Sequence, residues 1–418
     1  MLPFIQSPKE KLFEFFIQIN LDKTYDNLFP TDYDLKEPML DKVYRYCFPF
    51  PAESNRLLAF EETRCVNYFK DPFSKNDTYF FLYLQYEYKN KKEKKNDELV
   101  VHCIVSKYLY PRCLFAILQD YQENSNSDIL SFYYNAKLNK TQFDTMIDKK
   151  DKDIPIYDGL SDESQIAYLH HFFISAYPTD YIPLLITFLI YDKPILVFSS
   201  SFNTLTHTVL SIASFFYPLN VMRLKVFPLL PYDYIDSEGK DSLILGIPTA
   251  MLKINLDKLE KDFILFNADE PYISNGAFEI PNEIFNEIDR LSQDLSHLCK
   301  YTRPAFPAPF ALKRIQAFIS TLAKFIIKQP QSSSYEEVLE VFNKTKIKEI
   351  EETNILINLL MNESESNEFV KSSYWDDASG DIIKFNDSSS LSIRRVPVPS
   401  RIKRSEADLK KKGKKGKK

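Results

Sequence analysis

Short apolar and aromatic runs, separated by charged stretches, mark the first third of the chain. Three of these runs have the aromatic and β-branched composition of strands: residues 11–21 (KLFEFFIQINL), 79–88 (YFFLYLQYEY) and 99–105 (LVVHCIV). The charged residues 89–97 (KNKKEKKND) predict a hairpin loop, and the apolar residues of 113–121 (CLFAILQDY) recur at helical spacing. This pattern predicts a small α/β or α+β module over residues 1–121.

The next part of the chain is first polar and then alternates between helical and strand-like patterns. Residues 122–160 are rich in Asn, Lys and Asp and predict a linker, with one strand in 132–138 (FYYNAKL). The elements predicted after it are a helix starting near Ser161, a helix over 181–191, a strand over 195–198, a helix from an Asn203 N-cap to Phe216, and strands within 223–230, 242–248 and 263–267. Such alternation predicts a parallel or mixed sheet covered by helices over residues 161–280.

The pattern from residue 281 onward is helical. Apolar residues recur at three- and four-residue steps in 283–301, 311–327 and 349–362, with a polar loop over 329–335. These segments predict helices that pack against the preceding sheet as far as residue 375. Residues 376–418 are rich in Asp and Ser and then basic, with little to bury, which predicts disorder.

The composition argues against several kinds of catalytic site. The chain has 7 glycines in 418 residues, and no two in the folded part are spaced as in G-x-G-x-x-G or G-x-x-x-x-G-K-[ST]. Backbone amides approach a phosphate closely only where a side chain is missing. A kinase, a P-loop GTPase and a dinucleotide-dependent dehydrogenase are therefore disfavoured.

Cysteine and histidine spacing gives no sign of a metal or redox site. The 5 cysteines are scattered without C-x-x-C spacing, and the 5 histidines form no H-E-x-x-H. We therefore expect reduced cysteines in a cytoplasmic protein, with no metal and no cofactor. Residues 1–20 lack the pattern of a signal peptide, and charged residues interrupt the most apolar stretch, 181–198, which argues against a transmembrane helix.

One stretch raises the question of covalent catalysis. Residues 194–220 (PILVFSSSFNTLTHTVLSIASFFYPLN) run from an apolar strand into three serines and a long helix. A serine-hydrolase elbow has small residues beside the nucleophile and a histidine partner. Here phenylalanines flank the serines, and His207 lies inside the helical run without an obvious orienting acid. We expect the serines to cap or line a turn, and a hydrolase remains a minor alternative.

The order of motifs in the same region is distinctive. They are LLITFLIYDK (184–193), ILVFSS (195–200), LTHTVLSIASFFYP (205–218), KVFPLLP (225–231), DYI (233–235), LILGI (243–247) and FILFN (263–267). In order and spacing this segment resembles the core of the DENN domain, a family of regulators of Rab-type small GTPases. Three features depart from the family: Tyr191–Pro194 stands where Glu/Arg charges are usual, Leu219–Asn220 replaces an aromatic, and the first subdomain is short of one clear strand. These departures leave the identity of the partner open.

The resemblance extends more weakly to both sides and implies a domain organisation. Residues 13–21, 46–49 (YCFP) and 103–115 resemble the first DENN subdomain, a longin-like module. The implied α/β organisation is a longin-like first subdomain (1–121), a linker (122–160), a central α/β core (161–280), a helical third subdomain (281–375) and a disordered basic tail (376–418).

The resemblance also implies a function without covalent chemistry. Family members bind the switch regions of a Rab GTPase between two lobes and favour its nucleotide-free state, which promotes GDP release in membrane traffic. The expected role is therefore a guanine-nucleotide exchange factor for a Rab-type GTPase. The residues around the central strand that we predict to contact the GTPase are Asp192, Lys193, Ser199, Ser200, Ser201 and Asn203.

Two alternatives remain within the same family. Some longin–DENN relatives stimulate GTP hydrolysis with an arginine from the longin-like lobe. The loop over 89–97 contains lysines and no arginine, and Arg112 opens a packed helix, so exchange is favoured over that activity. The other alternative is a DENN-fold scaffold or effector that binds without promoting exchange.

The charge is unevenly distributed. Residues 394–418 contain 12 Lys/Arg and two acids, a local charge of +10. Because the whole chain has a net charge of −5, residues 1–393 carry −15. Each basic residue contributes about 1 kcal/mol near an anionic membrane, which favours peripheral binding to vesicle or organelle membranes. Nuclear targeting, RNA association and a solubilising tail are alternative roles, but we expect no nucleic-acid partner. The lysines predicted to bind the membrane are Lys410, Lys411, Lys412, Lys414, Lys415, Lys417 and Lys418.

Overall fold

The computed structural model describes most of the chain up to residue 375. The described parts are residues 11–50, 64–73, 79–89, 98–124, 127–135, 162–219, 221–235, 239, 242–252, 263–274, 278–301, 308–344 and 354–375. The chain forms two units, Met1–Ala378 and Ser379–Lys418, and every described residue belongs to the first unit.

The N-terminal module is an antiparallel sheet between helices. Its strands are β1 (Phe15–Asn20), β2 (Tyr25–Phe29), β3 (Arg64–Lys70), β4 (Tyr79–Lys89) and β5 (Glu98–Ser106), in the spatial order β2-β1-β5-β4-β3. Its helices are α1 (Glu37–Cys47), α2 (Pro111–Asn124) and α3 (Ser127–Asn135). Because side chains alternate along a strand, β1, β3, β4 and β5 supply apolar residues to both faces, whereas the edge strand β2 is largely exposed.

The two faces of this sheet are covered by different helices. On one face Tyr86 donates its hydroxyl proton to the carbonyl of Cys47 at the end of α1, at 3.0 Å. On the other face Tyr83 meets Phe115 of α2 edge to face, with ring centroids 5.6 Å apart. Tyr83 and Tyr86 have opposite parity along β4, which explains why they meet different helices.

Four elements of this module differ from the sequence-based expectation. Helix α1 and strands β2 and β3 were not among the predicted elements, and the strand predicted in FYYNAKL (132–138) is wrong because its first residues belong to helix α3. The aromatic residues suggested a strand, but Leu130 and Tyr133, three positions apart, are both buried on one helix face. The Tyr133 hydroxyl donates to Asp120 of α2 at 3.1 Å, so α3 packs on this module from within the predicted linker.

The second module is built on a mixed sheet. Its elements are α4 (Asp162–Ala176), α5 (Tyr181–Ile190), β6 (Ile195–Ser199), α6 (Phe202–Ser214), β7 (Val226–Phe227), β8 (Ile244–Pro248), β9 (Ile264–Asn267) and β10 (Tyr272–Ser274). The spatial order is β10-β9-β6-β8-β7; β6 is parallel to β8 and β9, and β10 is antiparallel to β9. The mixed α/β class predicted from the sequence is confirmed.

Helices from the C-terminal part of the unit complete this module. They are α7 (Asn282–Tyr301), α8 (Ala308–Ile327), α9 (Tyr335–Lys344), α10 (Ile355–Ser366) and α11 (Glu368–Trp375). Helix α9 was not among the predicted elements. The amide of Gln316 in α8 donates to the Tyr217 carbonyl at 2.9 Å, and the hydroxyl of Tyr374 in α11 donates to the Phe216 carbonyl at 2.5 Å. These bonds join helices α8 and α11 to the backbone just after helix α6, where the Phe216 carbonyl also accepts from the backbone N–H of Leu219 at 2.7 Å.

The two modules meet along strand β3, an edge strand of the first sheet. The amide of Asn67 donates to the Leu229 carbonyl at 2.7 Å, and the Tyr68 hydroxyl donates to the Val226 carbonyl. Both side chains are buried. These polar bonds between buried groups fix the orientation of the first module on the second.

No single helix among the described residues is long and apolar enough to span a membrane. Helical residues 168–176 and 181–190 pass that test only as a pair, and they are bent by 113° at the break between them.

Candidate functional site at the ends of strand β6

Strand β6 lies at the centre of the parallel part of the second sheet. Ser199, its last residue, is in register with Pro248 of β8, and the preceding Phe198 is in register with Asn267 of β9. In α/β folds, ligands bind beyond the carboxyl ends of parallel strands. A binding site is therefore expected first at this edge of the sheet.

The serines at this edge are occupied by structural hydrogen bonds. Ser199, fully buried, donates from Oγ to Oδ1 of Asp269 at 2.5 Å. The backbone N–H of Ser200 donates to the other oxygen of the same carboxylate at 2.7 Å, and the backbone N–H of Ser201 donates to Oγ of Ser199 at 3.0 Å. One carboxylate and one hydroxyl thus order the whole turn between β6 and α6.

The N-cap of helix α6 is Ser201, and the predicted N-cap Asn203 is wrong. Ser201 has extended backbone angles (φ −101°, ψ 122°), and its Oγ accepts from the backbone N–H of Thr204 at 3.0 Å. Asn203 is already the second residue of the helix and is partly exposed. An N-cap side chain must bond two or three residues ahead, and Ser201 has that position.

The residue that orders this turn, Asp269, comes from the hairpin between β9 and β10. Oδ1 of Asn267 accepts from the backbone N–H groups of Asp269 (3.0 Å) and Glu270 (3.3 Å), which forms an Asx turn. Two buried or partly buried tyrosines donate to carbonyls on either side of that turn, Tyr177 to Ala268 at 3.3 Å and Tyr181 to Pro271 at 2.9 Å. The tip of this hairpin is therefore braced from three sides.

This arrangement supplies an internal anion where other α/β proteins bind an external one. Backbone N–H groups at the start of a helix attract phosphates and carboxylates. Here the Asp269 carboxylate already accepts from the turn, and the Ser199 hydroxyl is directed to it. A buried hydroxyl that donates to a structural carboxylate has no histidine to remove its proton, which argues against a serine nucleophile at Ser199.

His207, the nearest histidine in sequence, is also occupied. Its Nδ1 donates to the backbone carbonyl of Asn203 at 2.9 Å, which leaves Nε2 to accept from the hydroxyl of Tyr168 at 3.2 Å. Burial lowers the pKa of His207 to about 4. The ring is a neutral core group packed near Phe172, with centroids 5.1 Å apart, and both nitrogens are already used.

Two of the predicted contact residues, Asp192 and Lys193, lie at the other end of β6. Asp192 is half-buried in the turn between α5 and β6, with a positive φ of 57°, and its carboxylate accepts from the backbone N–H of Ile355 in α10. Burial is the main cause that raises the pKa of Asp192. Lys193 places Nζ 5.5 Å from the centre of the Phe278 ring, a cation–π contact.

Helix α10 is held at this amino end by its own N-cap. The Asn354 amide donates to the carbonyl of Ile190 at 2.7 Å, while its Oδ1 accepts from the backbone N–H of Ile357 at 3.1 Å. Asn354 therefore satisfies the last turn of α5 and the first turn of α10 together. The structure gives Asp192 and its neighbours a clear role in packing.

The six predicted contact residues thus form two groups. Ser199, Ser200, Ser201 and Asn203 surround the carboxyl end of β6, whereas Asp192 and Lys193 surround its amino end. The 5-residue strand between the groups is roughly 15 Å long. A small surface of a partner could contact one group without reaching the other.

Other predicted residues lie outside the described parts or have no site role there. The lysines of the tail, from Lys410 to Lys418, and residues 90–97 of the charged loop are outside the described residues. Arg112 is the second residue of helix α2. Within the described parts of the chain, no group of His, Cys, Asp or Glu side chains is arranged to hold a metal ion. Burial raises the pKa of the Cys47 and Cys113 thiols, which opposes thiolate chemistry.

Sequence reasoning missed Asp269 and Asn267, the residues that organise the carboxyl end. The signal available was NADEP (267–271), which begins at the last residue of FILFN, because Asn, Asp and Pro within five residues are typical of a turn. Nothing in the pattern could show that the carboxylate would cross to the neighbouring strand, 70 residues earlier.

No protein-family model matches the chain, and a search of curated proteins found no significant match.

Proposed function

We propose that the chain is a DENN-type regulator that promotes GDP release from a Rab-type small GTPase by binding the switch regions of that GTPase. The observation that carries this proposal is the Asp269 carboxylate in the β6–α6 turn. The edge of the sheet at which α/β folds usually bind ligands is here a turn held by internal hydrogen bonds, with an exposed surface. Such an edge can bind a partner but offers no nucleophile or phosphate-binding turn.

The order of the elements is compatible with the proposal. The first module runs β-β-α-β-β-β-α-α around one antiparallel sheet, as we would expect of a longin-like module. An α/β module with a parallel core follows, and a helical part comes last. The proposal takes these three parts as the longin-like, central and helical subdomains that the resemblance implies.

Exchange by binding requires a surface that keeps its shape. A protein that binds the nucleotide-free GTPase better than the GDP-bound form shifts the population toward the former, and no proton transfer is needed. The hydrogen bonds around Ser199, Ser201 and Asp269 hold the exposed Ser200 and the partly exposed Asn203 in place. A preordered surface loses little entropy when it binds.

The test is release of fluorescent GDP from a panel of purified Rab GTPases, with and without this protein and anionic liposomes. Acceleration of one or two members is expected. In the variant Ser200→Arg/Asn203→Arg, two long cations replace small side chains at the carboxyl end, and the acceleration should fall at least about tenfold. Lys193→Ala at the amino end is the matched control and should leave it within about twofold.

Each other outcome has a distinct meaning. If the folded native protein speeds GDP release from no GTPase in the panel, with or without liposomes, the exchange proposal is wrong. Thermal melting of both variants shows that a loss of activity is not due to unfolding. Binding of a GTP-loaded GTPase without faster GDP release would point to the scaffold or effector alternative. Loss of activity in Lys193→Ala alone would move the contact surface to the amino end of β6.

A further inference from the structure

The most exposed large apolar side chain among the described residues lies on the braced hairpin tip. Tyr272, the first residue of β10, is 64% exposed. The hairpin tip consists of Asp269–Tyr272, and the three residues before Tyr272 are also exposed. A ring that is exposed to this extent contributes little to the core of this protein.

Hydrogen bonds from outside the hairpin, as well as from within it, hold the tip in place. Its turn is held by the Asn267 side chain, by the Tyr181 hydroxyl on the Pro271 carbonyl, and by the bonds from the serine turn to Asp269. An exposed tyrosine on a fixed backbone can bury a large area on binding while only two side-chain torsions are lost. Tyrosines of this kind are enriched among the residues that dominate binding energy at interfaces.

The charges around Tyr272 indicate what would bind. Glu270 is exposed two residues before it, and Asp269 is exposed beside Glu270. Asp180 is also exposed and immediately precedes Tyr181, whose hydroxyl is bonded to the tip. The Asp269 carboxylate already accepts two hydrogen bonds from the serine turn, so Glu270 is the better placed of the two to meet a new cation.

An exposed tyrosine ring two residues from an exposed carboxylate matches one side chain best. A guanidinium group can stack on the ring and donate to the carboxylate at the same time, because it is planar and carries several N–H donors. A lysine ammonium can satisfy one of these contacts well but has no plane to stack.

We propose that the tip formed by Asp269–Tyr272 is a protein-interaction surface that binds an arginine-bearing segment of a partner protein. The guanidinium stacks on Tyr272 and pairs with Glu270, and Asp180 adds to the negative potential. This inference goes beyond the proposed function, since it concerns the chemistry of the bound segment and does not require that the partner be a GTPase.

The test uses the full chain with 3-fluorotyrosine at position 272 and ¹⁹F NMR. The probe is an acetylated, amidated nonapeptide of alternating Gly and Arg, and its control has citrulline in place of arginine. Citrulline keeps the shape of the side chain and removes the charge. A saturable shift of the Tyr272 resonance is expected with the arginine peptide, and the citrulline peptide should bind at least about tenfold more weakly.

A pair of variants separates a local contact from a general effect of charge. Glu270→Gln should weaken binding about threefold to tenfold, and Glu279→Gln, which removes one exposed charge elsewhere, should change it less than twofold. Both variants keep the fluorine reporter, and thermal melting shows whether both are folded.

Three results would overturn the proposal. One is the absence of any shift with the arginine peptide, and another is an equal shift with the citrulline peptide. The third is a shift that appears when the protein alone is concentrated, since that would assign the surface to a second copy of this chain. None of these results depends on whether GDP release is observed.

Discussion

The two ends of strand β6 are stabilised in different ways. At the carboxyl end, one acidic side chain from the β9–β10 hairpin orders a turn of small polar residues, and the bonded residues lie between 199 and 269. At the amino end, the turn between α5 and β6 is held by helix α10, through Asn354 and the backbone of Ile355. The first end is a polar network at the surface, and the second is a packed junction of helices.

This difference changes how residues that are close in sequence should be interpreted. Asp192 and Ser200 are eight positions apart, and a strand separates them, so they face different environments. Asp192 accepts from a helix N-terminus and is half-buried, which makes it a poor choice for a contact with a partner. The exposed residues at the carboxyl end remain the better choice.

The largest expected effect is the loss of the carboxylate at the carboxyl end. Asp269→Ala removes the acceptor of two hydrogen bonds and leaves the buried Ser199 hydroxyl without its partner. We expect the free energy of unfolding to fall by about 2–3 kcal/mol, measured by urea denaturation. Asp269→Asn keeps one acceptor oxygen and should lose about half as much. Equal stability of Asp269→Ala and the native protein would contradict the role assigned to the carboxylate.

The packing at the amino end of β6 is disrupted by removing Asn354, the N-cap of α10 that also bonds the end of α5. Asn354→Ala takes the donor from the Ile190 carbonyl and the acceptor from the N–H of Ile357. The expected loss is about 2 kcal/mol, from one lost N-cap and one buried carbonyl without a donor. Hydrogen exchange should then speed up in α10 and in the last turn of α5 more than around Ser199. Uniform acceleration over the whole second module would mean that the two ends are not separable.

A smaller effect distinguishes the observed N-cap from the predicted one. Ser201→Ala removes the acceptor for the N–H of Thr204 and should lower the free energy of unfolding by about 1 kcal/mol. Asn203→Ala, two residues later and already inside the helix, is the matched comparison and should lie within about 0.5 kcal/mol of the native protein. The reverse order in chemical denaturation would restore Asn203 as the cap.

The smallest effect is a gain of stability at the amino end. Because the pKa of Asp192 is raised in the folded state, the native protein binds the proton more tightly than the unfolded chain, and stability falls as the pH rises above about 4. Asp192→Asn removes that loss, keeps an acceptor for the Ile355 N–H, and suits the positive φ of 57° better. The gain at pH 7 should be below about 1 kcal/mol, because Asp192 is only half-buried and solvent screens it.

The pH dependence is the control for this substitution. The difference in melting temperature between Asp192→Asn and the native protein should be largest at pH 7 and shrink toward pH 4, where the native carboxyl group takes up its proton. A difference that does not change with pH would assign the gain to the backbone conformation alone.

Much of the second module could be predicted from the sequence because its pattern is strong. The strand ending at Ser199, the long apolar helix after it and the strand over Ile264–Asn267 all lie where the unbroken apolar runs indicate. The first module was harder. Its helix Glu37–Cys47 interleaves four charged residues with its apolar positions over only 11 residues, and β2 has three exposed residues of five.

The candidate site could be predicted only in part, for a physical reason. Local sequence showed that the serines form a turn, because Ser is common at helix starts. Local sequence could not show which serine caps helix α6, because that depends on which hydroxyl donates to Asp269 of the β9–β10 hairpin. The split of the six predicted contacts into two groups also follows from the sheet, which the sequence specifies only through distant pairings.

The hydrogen bond from Asn354 to the Ile190 carbonyl has a consequence for how the chain is made. Its two partners are separated by 164 residues, and the bond from Tyr374 to Phe216 spans 158. A ribosome that adds about 5–20 residues per second needs roughly 10–30 s to cover such a distance. Throughout that interval the carbonyls at the end of α5 and after α6 have been made, while the side chains that will bond them have not. A nascent chain of this protein is therefore expected to need chaperone protection over its central module until its last helices emerge.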